Sequence, residues 1–246
     1  MREELARAYR FLARGDMGGT RVEDTPSGRA VFTDELPRRF DGNYLWVDRY
    51  TDPEDLVAEA ERHRRPLIFV PDPEIGDRLA PWFEEQGWRV DRHVVMAQLR
   101  KPEREADLSL VRELREEDLR AARRQVLSGF PWATDEVLAQ IFAAKRLIGE
   151  RVRARFFGAV LDGEVVSYSD LYQDAGEAQV EDVGTLPEHR NHGYASAVIL
   201  AAIDAARSDG AEFVFLVADA HDWPQKLYGR LGFDTVGNYT KFFVGS

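Results

Sequence analysis

The chain has 246 residues, with 33 Lys or Arg against 44 Asp or Glu, which gives a formal net charge of −11. At about 150 residues per domain this length suggests one or two domains, and 44% hydrophobic with 31% charged residues is too apolar for disorder. The acidic balance argues against nucleic acid as a partner, and the lack of cysteine excludes disulfides, thiolate metal sites and cysteine nucleophiles.

The charged start, residues 1–11, lacks the apolar core of a secretory signal. No apolar run reaches the about 20 residues that would cross a bilayer, so a soluble, cytoplasmic protein without a membrane partner is expected. An N-terminal helix is followed by a loop over residues 15–28, rich in Gly, Thr, Asp and Ser. A strand over 43–49, a helix over 52–65 with Asp52 before Pro53, a buried strand over 66–72, a helix over 74–88 and a strand over 89–99 come next. "RKPEREAD" (100–107) is charged, contains Pro102 and has no apolar periodicity, and reads as a linker. The expected division is a smaller N-terminal α/β domain, 1–100, and a second domain, 106–246.

After the linker, "LSLVREL" (108–114) is strand-like, and residues 115–130 and 134–153 are helical, the second with Thr134 as N-cap. Residues 155–173 read as two strands joined at Asp162-Gly163, a hairpin signal. A strand over 178–186 ends at Pro187. A helix over 193–208 carries Ala195, Val198, Ile199, Ala202, Ile203 and Ala206 at helical spacing, with Gly210 beyond its end. "FVFLVA" (213–218) suits a strand buried on both faces; a short helix over 225–231 and a closing strand over 233–244 follow. The β-α-β-α-β order of residues 43–99 repeats that of 178–244, and both end in an apolar helix, a Gly, an aromatic and a strand, as in a weak internal repeat.

The sharpest local feature is "TLPEHRNHGYAS" (185–196). A helix N-terminus presents unpaired N–H groups and partial positive charge, which suits a phosphate. Gly193 lets the backbone approach an anion, Ala195 keeps the first turn uncrowded, and Arg190 adds a charged fork. A plain strand-to-helix connection is the bland alternative.

Here the sequence resembles the GNAT superfamily of acyl-CoA-dependent N-acetyltransferases. Arg190-x-x-Gly193-x-Ala195 after Pro187 fits that family's cofactor loop, and Leu227-Tyr228-Gly229-Arg230-Leu231-Gly232-Phe233 fits its L-Y-x-x-L-G-F segment. The resemblance covers about residues 108–246 and implies a GNAT-type mixed α/β sheet flanked by helices, with the N-terminal half as a degenerate copy. It also implies acetyl transfer from acetyl-CoA directly to a primary amine. The pantetheine arm would pair with backbone groups of Val183 and Thr185, and the pyrophosphate would sit on the N–H groups of Arg190, Asn191, His192, Gly193, Tyr194, Ala195 and Ser196. Tyr228 matches the tyrosine that protonates the leaving thiolate. Glu181 is the preferred base, with Asp182 as the other carboxylate on that strand, and strand alternation places Glu181 with Val183 and Thr185 and Asp182 opposite. Asn191 and His192 depart from the family's usual Gly and basic residue, and His221 and Pro224 depart before the last helix.

His189, His192, Asp219, His221 and Asp222 lack metal-ligand spacing, so no metal is expected. Phe130-Pro131-Trp132, between the first two helices, is expected over the acceptor site. The acceptor, a small-molecule or peptide amine, and the oligomeric state, monomer or homodimer, stay open. The rival from another class is a CoA-binding regulator of this fold without turnover.

Overall fold

The computed structural model describes residues 3–15, 17–65 and 67–243. Residues 1–2 of the charged start, Asp16 of the loop, Pro66 of the strand over 66–72 and Val244 of the closing strand lie outside them. By contact the chain divides into two compact units, Met1–Val95 with Val217–Gln225 and Thr235–Ser246, and Met96–Leu216 with Lys226–Asp234. The sequence places the closing strand in 106–246; most of it groups with the first unit.

In the first unit, α1 (Glu3–Arg14) buries Leu5, Ala8, Tyr9, Phe11 and Leu12, the apolar stripe of an amphipathic helix. The Tyr9 hydroxyl donates to the carbonyls of Pro71 at 2.9 Å and Asn238 at 3.0 Å, which ties the helix to the residue after one strand and to the middle of the closing strand. β1 (Arg21–Asp24) and β2 (Gly28–Phe32) form an antiparallel hairpin where a loop is expected. β1 reads Arg-Val-Glu-Asp and is exposed throughout, so it lacks the apolar alternation that marks a strand; charge on an edge strand also discourages pairing with other chains.

β3 (Tyr44–Val47), α2 (Pro53–Arg62), β4 (Leu67–Val70), α3 (Pro73–Glu85) and β5 (Arg89–Gln98) follow in the expected order. Asp72 caps α3 by accepting from the N–H groups of Glu74 and Ile75 at 2.9 and 3.2 Å. β3 and β4 run parallel and are wholly buried. The last strand of the chain, β11 (Phe233–Phe243), pairs antiparallel with β4, giving the order β1-β2-β3-β4-β11-β5.

The second unit contains β6 (Val111–Leu114), α4 (Glu116–Leu127), α5 (Asp135–Gly149), β7 (Arg153–Leu161), β8 (Glu164–Asp174), β9 (Glu177–Thr185), α6 (Tyr194–Ser208), β10 (Phe213–Asp219) and α7 (Pro224–Arg230). Its strands lie in the order β10-β9-β8-β7-β6. Thr134 caps α5 through the Val137 N–H at 3.3 Å. β7 and β8 turn at Asp162-Gly163, with φ of 52° and 87°, as a two-residue hairpin with both residues left-handed requires. Helices cover both faces of β8. Tyr168 packs with Leu119 and Ala122 of α4, and Val166 packs with Val198 of α6. β9 is antiparallel to β8 and parallel to β10.

The succession of three strands, helix, strand, helix, strand thus occurs twice, from β1 to β5 and from β7 to β11. In each, the third and fourth strands are parallel.

Candidate active site

β9 is regular from Glu177, across from Asp174, to Glu181, across from Asp170. The next pair is Gly184 across from Tyr168, so Asp182 and Val183 both lie opposite the single residue Ser169. This is a β-bulge, and Asp182 adopts the left-handed region with φ of 51°. The bulge overturns the facing read from simple alternation. Glu181 lies across from Asp170, on the α4–α5 side, whereas Thr185 lies across from Ser167. Ser167 shares its face with Ser169, whose hydroxyl donates to the Val198 carbonyl of α6 at 3.3 Å. Glu181 and Thr185 therefore face opposite sides, because one extra residue changes the parity of the strand. Glu181 accepts from Gln179 Nε2 at 2.6 Å. Pairing of β9 with β10 ends at Gln179 across from Phe215, while β9 runs on to Thr185.

Asp182 does not stand alone. Its Oδ2 is 2.9 Å from both Arg123 Nε on α4 and Lys145 Nζ on α5. The same two cations hold Asp170, at 2.5 Å from Arg123 Nη2 and 2.7 Å from Lys145 Nζ. The Tyr172 hydroxyl donates to Asp170 at 2.8 Å and accepts from Lys145 at 3.0 Å. Arg123 and Asp170 are fully buried, and Asp182 keeps 22% of its side chain exposed. Burial pushes the Asp182 carboxyl up, but Lys145 and Arg123 outweigh it and hold the group below the usual carboxylate range. For Asp170 burial wins and the carboxyl rises. Burial pulls Lys145 down, and the two aspartates more than reverse this.

The sequence reading missed Arg123, Lys145 and Asp170. A signal existed: Arg123 falls in the apolar stripe of α4 with Leu119, Ala122 and Val126, and Lys145 in that of α5 with Leu138, Ile141 and Ile148. A charge inside an apolar helical stripe needs a buried partner.

After β9 the chain makes a single 3-10 turn, Pro187–His189, and reaches α6 through Asn191 and Gly193, both left-handed with φ of 65° and 86°. Gly193 is the N-cap of α6, and its carbonyl accepts from the Ala197 N–H at 3.0 Å. The N–H groups of Tyr194, Ala195 and Ser196 thus precede the first intrahelical bond, as any helix start leaves them. A Cβ built on Gly193 would point into open space with nothing within 4 Å. The His192 ring stacks on Tyr194 at 5.9 Å, and Arg190 is exposed, with Nε 3.4 Å from the Thr185 carbonyl.

A cavity of about 660 Å³ lies beside this turn. His192, Gly193, Tyr194 and Ser196 line it together with Leu227 and Arg230 of α7. Residues 103–107 of the charged linker form a further part of the wall. That segment is docked: Glu103 N–H donates to the Arg230 carbonyl at 2.8 Å, and Leu99 and Arg100 N–H groups to the Gly232 carbonyl at 3.0 Å. Gly232 is required there, since its φ is 92° and a Cβ would stand 2.1 Å from the Arg100 carbonyl oxygen. Tyr228 and Glu181 are not on this wall. Tyr228 is half-buried on α7, with its ring edge-on to Phe233 at 6.3 Å. Phe130 and Trp132 stack on each other at 5.3 Å in the segment between α4 and α5, and remain 48% and 40% exposed.

The sequence model of the acetyltransferase (GNAT) family matches residues 111–233. No curated protein matches the chain. Among solved structures, a GCN5-related N-acetyltransferase from Kribbella flavida is similar with a TM-score of 0.67 and 17% identity, over 100% of this chain and 97% of that one. A functionally unknown conserved protein from Staphylococcus epidermidis is similar with a TM-score of 0.68 and 13% identity, over 92% and 94%. A GCN5-related N-acetyltransferase-like protein from Streptococcus suis is similar with a TM-score of 0.54 and 15% identity, over 98% of each chain. At such identities the likeness is one of fold. The match of the family's own pattern to half of the chain, across the turn before α6 and the L-Y-x-x-L-G-F segment, goes further: the protein belongs to the GNAT family of acetyltransferases.

Proposed function

We propose that the protein transfers an acetyl group from acetyl-CoA directly to a primary amine. The observation that carries this reading is the cavity, where the opening turn of α6 and α7 share a wall beside the left-handed Gly193. Its volume of about 660 Å³ suits a drug-sized ligand. The open space at Gly193 suits a pyrophosphate drawn close to the N–H groups of residues 194–196. The end of the β9–β10 ladder at Gln179 leaves the backbone of Val183 and Thr185 suited to pairing with the pantetheine amides. No metal is assigned a part.

Transfer joins the amine nitrogen to the thioester carbonyl carbon and breaks the C–S bond. The amine must give up a proton and the thiolate must gain one. Glu181 is assigned as base and Tyr228 as the acid, and a backbone N–H at the bulge, that of Val183, as the group that polarises the carbonyl. The exposed Phe130–Trp132 stack is assigned to the acceptor side. The N-terminal half is read as a degenerate copy without a donor site: Asp52, Glu54 and Asp55 crowd the start of α2 and would repel a pyrophosphate. A cytoplasmic setting and the absence of a nucleic-acid partner belong to the same reading.

The test is thiol release from acetyl-CoA with a panel of amines, set beside binding by calorimetry. One acetyl-CoA per chain and amine-dependent thiol release are expected. Binding without release on any acceptor would favour a CoA-binding regulator, and two donors per chain would overturn the degenerate copy. Gly193→Val should abolish binding, because the side chain takes the space beside the N–H groups and strains a backbone at φ of 86°. Unchanged affinity would sink the phosphate turn. With a net charge of −11 the preferred acceptor should be cationic, and kcat/KM should fall as salt rises. A preferred anionic acceptor would count against this.

A further inference from the structure

We propose that Asp182 is a positioning residue, whose ion pairs with Arg123 and Lys145 hold the β9 bulge in shape. The link to catalysis rests on the acetyl-transfer reading above; the tether itself does not. A non-glycine residue in the left-handed region is strained, and within a strand it persists only where the surroundings fix it. At Asp182 the fixing groups are visible. One carboxylate oxygen meets two buried cations at 2.9 Å each, one from each of the two helices on that face.

Charge balance explains why a carboxylate is needed at this point. Arg123 and Lys145 bring two positive charges under the sheet; Asp170 meets both, and Glu116 of α4 meets Arg123 at 3.4 Å. Without Asp182, Lys145 would keep, among the described residues, only the carboxylate it shares with Arg123, and a buried cation short of a partner is costly. The cations therefore draw the Asp182 side chain inward, and the backbone can follow only by adding a residue opposite Ser169. That step turns Thr185 to the face opposite Glu181 and sets the direction of the peptide groups after residue 182. The same cations make Asp182 a poor proton acceptor, since they hold its carboxyl below the usual range. Its role is orientation.

Glycine and alanine at this position separate the two roles. Both remove the carboxylate, but only glycine takes a left-handed backbone without help. The comparison is made with Lys145→Met in both chains, so that no lysine short of a carboxylate is left buried while Arg123 keeps Asp170 and Glu116: K145M/D182G against K145M/D182A. The glycine chain should exceed the alanine chain about tenfold in kcat, with acetyl-CoA affinities within about threefold of each other, if backbone strain is what the tether offsets. Hydrogen exchange across residues 178–186 should be faster in K145M/D182A than in the wild-type chain. Equal and large losses of kcat in both chains would show that the carboxylate itself acts, and equal, unimpaired rates would show that nothing is held; either overturns the proposal. Unaltered exchange in the alanine chain does so as well. If the wild-type chain binds no acetyl-CoA, the acetyl-transfer reading fails and the exchange measurement still judges the tether.

Discussion

Tyr228→Phe is expected to lower kcat by about 10²–10⁴, the range for removing a general acid, while the affinity for acetyl-CoA stays nearly unchanged. The substitution removes one oxygen and keeps the ring, so the edge-on contact with Phe233 at 6.3 Å survives and the last turn of α7 keeps its packing. Leu227 and Arg230, the α7 residues on the cavity wall, are untouched. Affinity for the donor therefore reports on the wall, and kcat on the hydroxyl. Steady-state rates beside calorimetric affinities make the check. Full activity in the variant would reduce Tyr228 to a packing residue, and a loss of affinity equal to the loss of kcat would place its hydroxyl in donor binding.

What the sequence discloses depends on whether a signal is local. The Asp162-Gly163 turn, the Thr134 cap and the glycine before α6 are local signals, and the structure realises all three. The hairpin at Ala175-Gly176 carries the same left-handed pair, with φ of 47° and 82°, but alanine at its first position hides it. β1 is hidden for another reason: a fully exposed strand has no buried side to reveal a period of two. The bulge at Asp182 is the costliest omission, because alternation carries an error of one residue through to Thr185 and reverses its face. Nothing adjacent to Asp182 announces it. Its cause lies 59 and 37 residues upstream, at Arg123 and Lys145. The pairing of β11 with β4 is equally distant and depends on which sheet edge the last strand meets.

Asp170→Asn should cost about 3–5 kcal/mol of stability at pH 7, the usual penalty when one partner of a buried ion pair is removed. The amide keeps the shape of the carboxyl but leaves Lys145 with Asp182 and Arg123 with Asp182 and Glu116, and one of its two hydrogen-bonding atoms becomes a donor turned toward cations. The sign of the pH dependence follows from the groups that remain. In the wild-type chain the Lys145 pKa is raised, so its contribution is fully present below the unfolded value of about 10.4 and is lost only as pH rises through the folded one. Asp182, held low, contributes above its unfolded value of about 3.9, and this is lost as pH falls through its folded value. The variant strips Lys145 of its nearest counter-ion, so that its folded pKa drops and it sheds its proton at a pH where the unfolded chain still binds one. The deficit of the variant relative to the wild type then shrinks as pH rises, since the buried tyrosines, raised by desolvation, act alike in both chains. Urea unfolding at pH 7 and pH 10 should show the deficit shrinking at the higher pH. A cost below about 1 kcal/mol, or the same cost at both values, would mean that water already reaches Asp170 and that the four charges do not act as one buried unit.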